Sequence, residues 1–123
     1  MHILTQQAIN IVSQKLHLPI TGLEQDWDIE LADSSRIDEF LTLFKQDNNL
    51  DNEQKYVLMA LILASCDDAL QEGKALSRDS WTYIEWVLKT HSIYHALIDY
   101  WGLPTSKNEN DLFALTPYIR AIY

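Results

Sequence analysis

The chain is poor in the residues that staple a fold, turn it sharply or cradle phosphate. One cysteine, Cys66, occurs in 123 residues, which excludes an intramolecular disulfide framework and a multi-cysteine zinc site. Three glycines and three prolines leave little for hairpins, and no Asn-Gly or Asp-Gly pair is present. Nor is there a glycine-rich phosphate loop or a Gly-x-Ser-x-Gly elbow. The longest apolar run, Tyr56 to Ala64, has nine residues, against about 20 for a membrane span. Positive charge is scarce. Nine Lys and Arg face eighteen Asp and Glu, a formal charge of −9. That balance argues against nucleic-acid phosphates and anionic membranes as direct partners. The opening residues, Met1-His2-Ile3-Leu4-Thr5, lack the basic lead and apolar block of a secretory signal. A lone thiol then suits a reducing cytosol.

What remains is helix-forming material in one length of domain size, 1–123. Apolar residues recur at helical spacing over 3–17 (Ile3, Leu4, Ala8, Ile11, Val12, Leu16), with Pro19 and Gly22 ending that helix. Over 23–33, Trp27, Ile29 and Leu31 alternate with Asp26, Asp28 and Glu30, which predicts a short extended segment near 25–32. Asp33, Ser34 and Ser35 are N-cap types ahead of a second helix reaching Gln46. Asp51 with Gln54 predicts a capping box. The helix it opens, 52–72, is apolar nearly all round, as a central helix is. Gly73 ends it in the left-handed region. Ser77 opens a fourth helix, 78–90. A break near Ser92 precedes a fifth, 93–101, with Ile93, Tyr94, Leu97, Ile98 and Trp101 inward and with Gly102 and Pro104 as its stop. A polar loop over 105–111 leads to Pro117 and a short closing helix. The reading is all-α: a single compact bundle of five or six helices.

The negative charge is not spread evenly. Residues 24–53 hold ten acids and two bases, a formal sum of −8. Crowded like charges repel, and one use for such a field is to steer and hold a cationic partner. Trp27 lies inside the segment and suits an interface anchor. The expected partner-binding residues are therefore Glu24, Asp26, Trp27, Asp28, Glu30, Asp33, Asp38 and Glu39, and charge reversal at Asp26 and Asp28 should slow association. The competing reading is local: acids near helix N-termini complement the helix dipole.

Catalytic chemistry finds less support. His91, His95 and Asp99 have i, i+4 spacing, but His91-Ser92-Ile93-Tyr94-His95 lacks the glutamate of the zinc-protease signature, and the break at Ser92 separates the histidines. Asp67-Asp68 has no third acid nearby for Mg²⁺ and reads as a hydrogen-bonding pair. Cys66 reads as a buried, inert thiol. No metal or cofactor is expected.

The stretches Tyr56-Val57-Leu58-Met59-Ala60-Leu61-Ile62-Leu63-Ala64-Ser65, Asp99-Tyr100-Trp101 and Leu115-Thr116-Pro117-Tyr118-Ile119-Arg120 resemble helical immunity proteins of bacterial toxin–immunity pairs, including contact-dependent growth inhibition systems. The resemblance covers residues 50–123 and transfers no residue role by position. It implies a cytoplasmic, non-enzymatic inhibitor, monomeric when free, that covers the active site of a cognate, basic, nuclease-type toxin domain. The alternatives are a homo-oligomeric helical adaptor associating around Trp86 and Trp101, and a small metal-dependent hydrolase built on His91, His95, Asp99 or Asp67.

Overall fold

The computed structural model describes residues 4–103 and 112–122. Among them seven α-helices form and no strand: α1 Gln6–Leu16, α2 Trp27–Leu31, α3 Ile37–Gln46, α4 Asn52–Gln71, α5 Arg78–Thr90, α6 His95–Gly102 and α7 Thr116–Arg120. Single 3-10 turns at Ser34–Arg36 and Ser92–Tyr94 lead into α3 and α6. The all-α reading holds. Ile3, Pro104, the loop 105–111 and Tyr123 lie outside the described residues.

The caps explain most of the boundaries. Thr5 accepts from the Ala8 N–H and sets the start of α1. At α4, Asp51 accepts from Gln54 N while the Gln54 side chain accepts from Asp51 N, the reciprocal box the sequence predicts. Gly73 sits at φ 80 beyond the helix end. Its N–H donates to Leu70 O, and Lys74 N–H donates to Ala69 O. These bonds satisfy carbonyls that the last turn would otherwise leave open.

Two terminations differ from expectation. His17, at φ 54, is the left-handed residue that ends α1, ahead of Pro19 and Gly22. Gly102 remains helical and buried, and Leu103 takes the left-handed position at φ 44. Arg120 supplies what the glycine was expected to supply. Its Nε donates to Gly102 O at 2.8 Å and its Nη2 to Leu103 O at 2.7 Å, so a cation closes the negative end of α6.

The largest correction concerns 25–32, which is helical rather than extended. Glu30 N–H donates to Asp26 O at 2.8 Å, and the Glu30 carboxylate accepts from Asp26 N–H at 2.9 Å. Over a single helical turn, alternation and helical periodicity are hard to tell apart. Helix geometry puts Trp27 and Leu31, four apart, on one side and turns Ile29 outward at 42% exposure.

α4 is the axis. Its residues from Val57 to Asp67 are all buried, and α1, α2 and α3 pack on it. One continuous core draws from every helix, including Val12, Trp27, Phe40, Leu61, Ile84, Leu97 and Ile119. Of the expected inward stripe of α6, Tyr94, Leu97, Ile98 and Trp101 are buried, whereas Ile93 is exposed. No described helix is long and apolar enough to cross a membrane.

Candidate protein-docking face

The eight residues singled out from the sequence separate into three local groups and two core positions. Trp27 is 3% exposed, and its indole N–H donates to Ser13 Oγ at 3.0 Å. It is a core residue, which removes it as a surface anchor. Asp28 is 2% exposed and so lies inside the protein. Its charge bears on Tyr56 and Tyr100, whose hydroxyl pKa values are raised first by burial and then by this carboxylate. The expected reversal of Asp26 with Asp28 is therefore not a surface experiment. Lysine at 28 would disrupt the fold.

Glu24 belongs to a turn. It accepts from Thr21 N–H at 3.0 Å, from the Thr21 hydroxyl, and from Gly22 N–H at 3.4 Å. The Thr21 hydroxyl bond is the leading reason its pKa is lowered. The turn so fixed presents Leu23 at 85% exposure. Asp26 and Glu30 form the second group, at the start of α2, beside exposed Ile29.

The third group is the densest. Asp33 accepts from Ser35 N–H at 2.9 Å and from the Ser35 hydroxyl, whose bond chiefly lowers the Asp33 pKa. Arg36 forks onto Glu39, with Nε at 2.8 Å and Nη2 at 2.6 Å, while Nη2 also reaches Leu16 O at 2.7 Å. That fork is the leading cause of the lowered Glu39 pKa. Sequence reading missed the contribution of α4. Its last turn brings Asp68 and Glu72 beside Asp33. Burial raises the Asp68 pKa, and the neighbouring charges of Asp67, Glu72 and Asp33 raise it further. Glu72 accepts from the Ser34 hydroxyl at 2.7 Å and pairs with Lys74 at 2.9 Å. Nothing in the spacing of 24–53 could announce these acids, because they arrive from another helix.

Asp26 and Asp38 differ from the rest. Both are exposed, and neither carboxylate accepts a hydrogen bond or joins an ion pair among the described residues. Among the eight residues, they are the two negative charges that substitution can remove without breaking a hydrogen bond or ion pair of the described residues.

Acid should weaken the protein. The carboxyls of Glu24, Asp33, Glu39 and Glu72 lie below their ordinary values when folded. The unfolded chain therefore binds protons first, and the stability they contribute is present above about pH 4.5 and lost as pH falls through their folded values. Asp68, shifted upward, works in the opposite sense, its contribution falling as pH rises. We expect the thermal midpoint to fall between pH 5 and pH 3, and Asp68→Asn to raise it at pH 7, both read by circular dichroism. A flat midpoint across that range would contradict the assignments.

The other candidate residues are placed as follows. His91 caps the 3-10 turn before α6 and meets the exposed ring of Trp86 edge-on at 5.9 Å. His95 and Asp99 form a solvent-facing pair at 3.9 Å on α6. No group of three or more His, Cys, Asp or Glu among the described residues is arranged to hold a metal ion. Asp67 is 4% exposed and joins helices: its Oδ1 accepts from Leu115 N–H at 2.9 Å, and Oδ2 accepts from the Gln71 amide. Trp101 is 1% exposed, so it offers no surface for association. Burial, with the Asp67 charge, pushes the Cys66 thiol up to about 12. Ellman's reagent at pH 8 should therefore titrate almost no thiol in the native protein and one per chain in denaturant. Rapid native reaction would contradict that burial. No protein-family model, curated protein or solved structure matches this chain.

Proposed function

We propose that this chain is a binding protein rather than an enzyme, and that it docks a basic protein domain through the carboxylates around α2, the start of α3 and the end of α4. The observation that carries the reading is the cluster of Asp33, Asp38, Glu39, Asp68 and Glu72, drawn from two segments, with Arg36 and Lys74 already engaged by Glu39 and Glu72. Several of these acids are held in place by the fold's own hydrogen bonds. Such preorganisation reduces the ordering a partner must impose. A field of one sign speeds the approach of the opposite sign and rejects like-charged competitors. Leu23 and Ile29, exposed among acids, supply apolar contact that Trp27 cannot.

Together with the resemblance of residues 50–123, this supports an immunity role: an inhibitor that covers a cationic, nuclease-type toxin domain in the cytoplasm. The test is co-purification with the basic domain encoded by the adjoining reading frame, followed by hydrogen-exchange mapping. A one-to-one complex with protection at 21–39 and 68–74 is expected. Protection confined to α5 and the residues after it would place the interface elsewhere.

One observation favours a second reading, self-association. Trp86 is 55% exposed, beside Tyr83 at 6.2 Å and His91. Light scattering separates the two. A monomer supports the docking reading, and a dimer abolished by Trp86→Ser supports the other.

A further inference from the structure

A cleft of about 180 Å³ opens where the Ser34–Arg36 turn, α3, the last turns of α4 and the start of α5 meet. Ile37, Trp81 and Ile84 give it apolar walls, and Ser34 and Ser80 add hydroxyls. Two charged residues line it, Asp38 and Lys74. The Lys74 ammonium is already engaged, 2.9 Å from Glu72 and 3.1 Å from Ser34 Oγ. The Asp38 carboxylate has no hydrogen bond or ion pair among the described residues.

We propose that this cleft is a pocket for one arginine side chain of the basic partner, the aliphatic stem lying along Ile37 and Ile84, the guanidinium meeting Asp38 and the Trp81 indole. This rests on the docking reading above and names the contact that would give it specificity. The chemistry of the lining selects the occupant. A purely apolar ligand would strip water from Asp38 and the serine hydroxyls and return no hydrogen bond. An anion would meet Asp38 at the cleft and Asp33 and Glu72 beside it. Lysine would bring a point charge, whereas a guanidinium spreads its donors in a plane that forks onto a carboxylate and stacks on an indole. The start of α5 also faces the cleft, but the Ser77 hydroxyl already accepts from Ser80 N–H, and Asp79 sits in that first turn. Both reduce its pull on anions.

The probe is N-acetyl-arginine amide, titrated into the full ¹⁵N-labelled chain, with N-acetyl-citrulline amide as its neutral counterpart. We expect saturable shifts of the backbone amides over 34–38 and 76–84, at least tenfold weaker binding of the citrulline compound, and at least fivefold weaker arginine binding in Asp38→Asn. Equal binding of the two compounds, no saturation at those amides, or an unaffected Asp38→Asn variant would each overturn the pocket. The two proposals can fail separately. If the basic domain binds in a salt-dependent way while the arginine probe leaves those amides unmoved, the pocket is lost and the docking face stands. If the probe saturates the cleft and the basic domain does not bind, the pocket stands and the docking face is lost.

Discussion

Replacing Trp27 by alanine is expected to destabilise the protein by about 3–5 kcal/mol, the usual range for deleting a large buried aromatic. The indole is 3% exposed and belongs to the common core. Its N–H bond to Ser13 at 3.0 Å ties α2 to α1. Truncation would remove the main apolar contact of a five-residue helix that is too short to hold itself together. It would also strip the buried Ser13 hydroxyl of a donor. Against a typical total of about 5–15 kcal/mol, the loss is large. Trp27→Phe should retain most of the burial and lose chiefly the hydrogen bond, at about 1–3 kcal/mol because the buried Ser13 hydroxyl is left without its donor. Urea denaturation monitored by far-ultraviolet dichroism measures both. A loss below about 1 kcal/mol for Trp27→Ala, well under the core range, would mean that Trp27 is not in the core and would restore it as a surface anchor.

Asp67→Ala should be the next most damaging change. This carboxylate sits on the central helix and receives the Leu115 N–H at 2.9 Å, with Leu115 itself fully buried. Without it, a buried donor loses its acceptor at about 1–3 kcal/mol. The segment carrying α7 then loses one of its ties to the core. Others include the Thr116 hydroxyl on Trp101 O at 2.7 Å, the Arg120 fork on the end of α6 and the buried side chains of Leu115 and Ile119. Asp67→Asn keeps an oxygen that can accept from Leu115 and should lose less. The Leu115 amide should exchange with solvent faster in Asp67→Ala than in Asp67→Asn. Equal protection in the two variants would contradict the role given to the carboxylate.

The parts of the fold that were legible in the sequence are those decided by local chemistry. Asp51 with Gln54, Ser77 and Gly73 each act through neighbours a few residues away, so spacing identifies them. The buried middle of α4 announces itself because no face is polar. Residues 25–32 deceived because a single turn of helix carries too few residues to express its period. His17 and Leu103 end their helices in a conformation that glycine adopts more readily, and what imposes it at Leu103 includes an arginine 17 positions on. The acid-rich stretch was legible as composition but not as geometry. Asp28 went inward, Glu24, Asp33 and Glu39 took local hydrogen bonds, and Asp68 and Glu72 joined Asp33 from a different helix. The reading that acids serve helix starts accounts for Glu30 and Asp33. Asp26, the N-cap of α2, and Asp38, in the first turn of α3, also stand at helix starts, but neither carboxylate makes a hydrogen bond or ion pair among the described residues.

Those two carboxylates therefore offer the sharpest probe of the docking claim. The measurement is the association rate constant of the basic domain with wild-type protein and with Asp26→Lys/Asp38→Lys, taken by stopped flow between 20 and 500 mM salt. Electrostatic steering predicts a wild-type rate that falls steeply with salt and a double variant slower by about tenfold or more at low salt, the two converging at high salt. Equal rates at every ionic strength, with the double variant folded, would contradict the account.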